Sequence, residues 1–267
     1  MSKRTNIINN VLVYVCTIAS FVLIIFVGQR HNSNFWSVVF LMLAGALLSS
    51  VVVTFAHELG HLIFGKLNGF EFSSICVFIF KWTKVRKKTR FSFAMFGNQL
   101  GFTEMIPKHS ENIEKRYARM TLGAILFSLI PTLLGIVPLF LTSLPTWAFC
   151  LWATLLPVGV YSILDNGLPT SSYGVRNDGA VLYGIKAKHD SIKVMFNLLK
   201  IQAESYAGKT PAEIDESLYF DLPQLPEDDV NFFLLLNARY NYYLDKQDYD
   251  KAKAVTERLL SLEEYAQ

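Results

Sequence analysis

Four long stretches of the chain are almost free of charge. Residues 11–28 are apolar throughout, residues 35–65 form a longer second run, and two more lie near 119–141 and 146–164. A helix rising about 1.5 Å per residue crosses a hydrocarbon layer of roughly 30 Å with runs of this length. The short link Thr142-Ser143-Leu144-Pro145 suits a helical hairpin between the last two. Between the second and third runs the pattern changes. Phe70 to Phe80 and Phe91 to Met105 are rich in aromatic and β-branched residues, which predicts two strands split by a basic turn over residues 81–90. A small sheet here would lie at or within the membrane boundary, its open edge tolerated only under protein or a bound peptide.

From residue 178 onward the chain is charged and helical in pattern, with a Pro-rich break at Leu222-Pro223-Gln224-Leu225-Pro226. Residues 230–262 read as two helices around Asp245-Lys246-Gln247-Asp248, and Tyr243, Tyr249 and Ala252 stand where a tetratricopeptide-type unit has them. One unit falls short of the three or so that such arrays need, so the tail is either a docked helical cap or a module for a protein partner. The expected fold is an all-α polytopic membrane protein with about four transmembrane helices, a small membrane-associated β element and a C-terminal soluble helical domain. Its parts are an N-terminal span and loop (1–34), a core (35–182) containing the strand loop 66–118, and the helical region 183–267.

Composition agrees with this division. Hydrophobic residues make up 52% of the 267, and the mean hydropathy is +0.30, too apolar for an ordinary soluble domain of this length. The apolar run after Lys3 and Arg4 has no small-residue cleavage site behind it, so it is expected to be a retained span. Cys16, Cys76 and Cys150 are scattered through apolar stretches without C-x-x-C spacing and read as small buried hydrophobes.

The net charge of +3 matters less than where the charge sits. Lys and Arg concentrate before the first run, between the second and third, and after the fourth; the other two connections hold only Arg30. By the excess of positive charge on cytoplasmic segments, both termini and the central loop are expected in the cytoplasm. The basic run 81–90 reads as part of that signal and as a contact for anionic headgroups. Nucleic-acid binding is not expected, because no aromatic-interleaved platform or known module accompanies it.

Chemistry enters at His57-Glu58-Leu59-Gly60-His61, an H-E-x-x-H sequence inside the second apolar run. On a helix, residues four apart share a face, so both imidazoles can reach one ion while Glu58 lies close to its open side. Two imidazoles and a carboxylate suit zinc, Zn2+, which lowers the pKa of a bound water to about 7 so that Glu58 can take the proton. Histidine and glutamate inside a membrane span are costly and by default mark a functional site. The third ligand must come from elsewhere. Asp165 and Asp178 both follow the fourth run, and spacing alone does not choose between them. His31, His109 and His189 read as solvated or interfacial histidines.

With Asn166-Gly167-Leu168-Pro169 and then Asp178-Gly179, the chain resembles the site-2 protease family of intramembrane zinc metalloproteases, which pairs H-E-x-x-H with a later N-x-x-P…D-G motif. The resemblance spans roughly residues 35–182. It implies that Asp178 is the third zinc ligand, that Asn166 and Pro169 contribute to holding substrate, and that Gly101-Phe102 lies at a sheet edge where substrate adds as a strand. Gly123-Ala124 and Ser128 resemble the small-residue start of the family's third core helix. This chain departs in having Thr170-Ser171-Ser172-Tyr173-Gly174 in a longer gap before Asp178, and Gly-Ala in place of a glycine pair. No PDZ-like or cystathionine-synthase-type insert interrupts it.

The function expected is therefore hydrolysis of a peptide bond in or near a transmembrane segment or small membrane-bound peptide, in a cell membrane of bacterial type. The alternative is a membrane binding or transport accessory that holds a metal without turnover. The intact Glu58 weighs against it, since metal binding alone does not require that residue.

Overall fold

The computed structural model describes residues 3–29, 34–86, 88–94, 100–172 and 175–262. It is mostly helical. Helix α1 (Lys3–Gly28) and the longer α2 (Phe35–Leu67) come first, followed by strands β1 (Phe70–Val77), β2 (Phe80–Val85), β3 (Lys88–Phe93) and β4 (Gly101–Pro107). Helix α3 (Ile113–Leu134) runs on into a 3-10 turn at Val137–Phe140. Helices α4 (Thr146–Ala153) and α5 (Leu155–Gly167) lead to the two-residue strands β5 (Ser171–Ser172) and β6 (Val175–Arg176). Helices α6 (Asp178–Ala187), α7 (Asp190–Tyr206), α8 (Ser217–Phe220), α9 (Val230–Asp245) and α10 (Tyr249–Ser261) complete the chain.

Four helical stretches are long and apolar enough to cross a membrane: Arg4–Gly28, Phe35–Leu67, Ile113–Phe140 and Thr146–Gly167. Their outward faces point to membrane association. Val11, Val15, Ile18, Val22 and Phe26 on α1, and Phe40, Leu47 and Val52 on α2, are all exposed. An apolar surface of that extent suggests membrane association. The fourth stretch is broken at Thr154, because Pro157 lacks the N–H that would continue the helix and its ring crowds the carbonyl one turn back. Thr154 recovers a bond there, its hydroxyl donating to Leu151 O and pairing with the buried Ser49 Oγ at 3.0 Å.

Small residues let α2 and α3 approach closely. A Cβ on Gly60 would lie 2.6 Å from Ala124 Cα and 2.7 Å from Gly123 O, and one on Gly123 would collide with the Phe64 ring. Only glycine allows this separation, and it fixes where the end of α2 stands relative to α3.

The four-stranded sheet is antiparallel, in the order β3-β2-β1-β4. The basic run is therefore not a turn between two strands, as its charge suggested, but most of a hairpin. Phe80-Lys81-Trp82-Thr83-Lys84 alternates with period two and pairs with residues 88–93. The reversal passes through Arg86, which sits at a left-handed φ of 57°. Part of the second expected strand, residues 95–99, lies outside the described residues, as do Arg30, His31, Lys87, Tyr173 and Gly174.

A core of Phe70, Met105, Ile113, Met120, Val181, Ile192 and Phe196 joins the sheet to α3, α6 and α7. Arg176 ties the residues before α6 to the C-terminal helices, donating to Ser191 Oγ at 2.7 Å and Asp229 Oδ2 at 3.1 Å. Between α7 and α9 runs a groove of about 870 Å³, lined by Leu198, Gln202, Leu234, Asn237 and Asn241 among others.

Candidate metal centre

His57 and His61 stand one turn apart near the end of α2, with their rings edge to face at 5.0 Å. Asp178 reaches them from the first turn of α6. Its Oδ2 lies 3.2 Å from His57 Nε2 and 3.2 Å from His61 Nε2. Among the described residues these three form one group that could hold a metal ion. Ligand atoms at the corners of a tetrahedron with bonds of about 2.0 Å are roughly 3.3 Å apart, so the spacing fits a small cation. The donor set fits as well. His57 Nδ1 is 3.1 Å from Ser128 Oγ, and an N–H donated there leaves the Nε2 lone pair directed at the carboxylate. Asp178 Oδ2 is itself buried without a hydrogen-bond donor. His57 Nε2 and Asp178 Oδ2 are then two electron-rich atoms facing each other, and a cation between them relieves that arrangement.

Local sequence explains how Asp178 gets there. Asn177 caps α6, its Oδ1 accepting from Ala180 N at 2.8 Å and from Thr170 N at 3.1 Å. Its amide donates to Leu168 O and Thr170 Oγ1, each at 2.7 Å, and to Asp165 O. One side chain thus pins the end of α5, the following loop and the start of α6 together. Gly179 completes the fit: a Cβ there would lie 2.6 Å from Gly167 O.

Glu58 is 5% exposed and touches the sheet. Thr103 Oγ1 donates to its Oε2 at 2.6 Å and lies 3.2 Å from its backbone oxygen. Gly101 presses on the same side chain: a Cβ there would be 2.9 Å from Glu58 Oε1 and 2.6 Å from Thr54 Cγ2. Gly101 opens β4, whose only strand partner among the described residues is β1. The edge of the sheet therefore runs past Glu58.

No protein-family model, curated protein or solved structure matches the chain. The likeness to site-2 proteases rests on the chain's own motifs.

Of the two candidate carboxylates, the structure brings Asp178 to the imidazoles; Asp165 is not in that group, and its backbone oxygen accepts from Asn177. Asn166 and Pro169 are engaged elsewhere. The Asn166 amide donates to Ser162 O at 3.0 Å within its own helix, and Pro169 O accepts from Asn9 Nδ2 of α1 at 2.8 Å. Neither bond reaches His57, Glu58 or His61. His109 pairs with Arg116 Nη1 at 2.8 Å, and His189 precedes α7 with its ring beside Tyr183. Sequence reasoning missed the roles of Thr103 and Asn177 and gave Ser128 only a packing part. Asn177 carried a readable signal, an asparagine immediately before a helix. Thr103 carried none, since its role depends on the sheet docking against α2.

Proposed function

We propose that this chain is an intramembrane zinc metalloprotease that hydrolyses a peptide bond in or next to a transmembrane segment or small membrane-bound peptide. The observation that carries the reading is the convergence of His57, His61 and Asp178, with oxygen and nitrogen at 3.2 Å, beside a Glu58 that the triad does not need for binding metal. A zinc ion held by those three residues would supply Lewis acidity and a water acidic enough to give up a proton near neutral pH. Glu58 would accept a proton from the attacking water as its oxygen bonds the peptide carbonyl carbon, and would pass that proton to the leaving amine as the C–N bond breaks, with no covalent bond to the enzyme. The Thr103 hydrogen bond fixes which carboxylate oxygen is free to do so.

The substrate must be extended, because a helical carbonyl is shielded by its own hydrogen bond. The β4 edge at Gly101 offers replacement main-chain bonds, and the lack of a side chain there lets β4 itself lie close to Glu58. Asn166 could act on substrate through its second amide N–H or its Oδ1, whereas Pro169 O already accepts from Asn9. The chain would be a multi-pass protein of a bacterial cell membrane with both termini in the cytoplasm. A protein partner for the C-terminal helices would have the groove between α7 and α9 to use.

The test is Glu58→Gln. The purified variant is expected to keep its metal, while the membrane peptide normally cleaved accumulates in cells carrying it. Metal content is read by elemental analysis and the peptide by comparing membrane proteomes. Undiminished cleavage by the variant would overturn the mechanism.

A further inference from the structure

The β2–β3 hairpin has two unlike faces. Direct cross-strand partners share a face, so the pairs Phe80–Phe93 and Trp82–Phe91 lie together on one side. Their rings form a contiguous cluster, with Trp82–Phe91 centroids at 5.4 Å and Phe91–Phe93 at 5.1 Å. This cluster is not a core: Phe91 is 51% exposed and Phe93 70%. The opposite face and the turn carry Lys81, Arg86, Lys88 and Arg90, and no Asp or Glu occurs from Phe72 to Thr103. Lys84 is spent on Glu71, and Lys81 lies over the Phe102 ring. Among the described residues no acidic side chain pairs with Arg86, Lys88 or Arg90.

We propose that this hairpin is a binding site for anionic lipid, its aromatic face seated at the boundary between headgroups and acyl chains and Arg86, Lys88 and Arg90 taking the lipid phosphates. Charge complementarity selects the occupant. The three unpaired cations lie at and next to the turn and the rings toward the other end of the hairpin, so a negatively charged bilayer surface that meets it along the β3 edge takes rings at headgroup level while each cation adds attraction. An unwound peptide substrate would cover the rings equally well but gives no reason for the cations.

The site also reaches the metal centre. The cross-strand row Phe91–Trp82–Ile75–Thr103 ends on the residue that donates to Glu58, and the row Phe93–Phe80–Val77–Gly101 ends on the glycine that presses on it. Lipid that seats the hairpin therefore steadies the sheet that holds Glu58. This consequence rests on the protease reading; the lipid site does not.

The experiment reads lipid contact alone. The full chain, with Trp36, Trp147 and Trp152 replaced by phenylalanine, is placed in nanodiscs containing brominated phosphatidylglycerol or the same fraction of brominated phosphatidylcholine. Trp82 fluorescence then reports local lipid. Quenching is expected to be stronger with the anionic lipid, reflecting local enrichment on the order of tenfold. Arg86→Gln, Lys88→Gln and Arg90→Gln combined should abolish that excess while metal content, the check on folding, stays unchanged. Equal quenching by the two lipids would overturn the proposal. So would Trp82 left unquenched by both, which would mean that protein or peptide covers the rings.

Discussion

Thr103 Oγ1 donates a 2.6 Å hydrogen bond to Glu58 Oε2, joining β4 to α2 across 45 residues of sequence. A hydrogen bond to an ionised group contributes about 1.5–3 kcal/mol. Thr103→Val keeps the shape and removes the donor. It is expected to slow single-turnover cleavage of the peptide that accumulates with Glu58→Gln by roughly ten- to a hundredfold, with metal content unchanged. Thr103→Ser should restore most of the rate. A valine variant as fast as wild type would mean that the bond only holds the sheet in place.

Asn177 is the residue that sets the position of Asp178. Replacing it with alanine removes the cap of α6, which costs about 1 kcal/mol, and strands the carbonyl oxygens of Asp165 and Leu168. Asp178 would then lose its fixed position while His57 and His61 keep theirs. Metal affinity measured by chelator competition is expected to fall about ten- to a hundredfold. Unchanged affinity would show that Asp178 is held by its own contacts.

The reach of sequence reasoning follows from these two residues. Apolar runs and the i, i+4 spacing of His57 and His61 are local, so four long helices and two imidazoles on one helix face could be read directly. Asp178 could be reached only by resemblance, because what distinguishes it from Asp165 is the loop that Asn177 folds. The β2–β3 hairpin was hidden for a different reason. Its period-two alternation lies beneath a run of lysines and arginines whose charge has the pattern of a turn. The break at Thr154 was signalled by Pro157, but the surrounding apolar run concealed it.

Gly60 stands between His57 and His61, against the backbone of α3. Since a Cβ there would lie 2.6 Å from Ala124 Cα, Gly60→Ala must push the helices apart, and backbone atoms cannot swing aside. Destabilisation of about 1–3 kcal/mol is expected, together with weaker metal binding. Gly167→Ala is the control, because nothing lies within 4 Å of a Cβ at that position. Thermal unfolding in detergent should separate the two variants; equal midpoints would show that the α2–α3 contact is looser than its spacing implies.

Glu71 supplies a pH dependence outside the spans. Lys84 and Lys108 both pair with its carboxylate, the latter at 2.9 Å, and tie β1 to β2 and to the end of β4. Those hydrogen bonds lower its pKa from 4.5 to about 2. A carboxyl with a depressed folded value stabilises the protein fully above its unfolded pKa and loses that contribution as pH falls toward the folded one. Wild type should therefore be more stable than Glu71→Gln at neutral pH. The gap should narrow steadily below about pH 4.5 and approach zero near 2. The effect is modest because the lysines are solvent-exposed. Comparing the two proteins at each pH cancels the titration of every other acid. A gap that stays constant from neutral pH to about pH 3 would show that the glutamate acts by shape and not by charge.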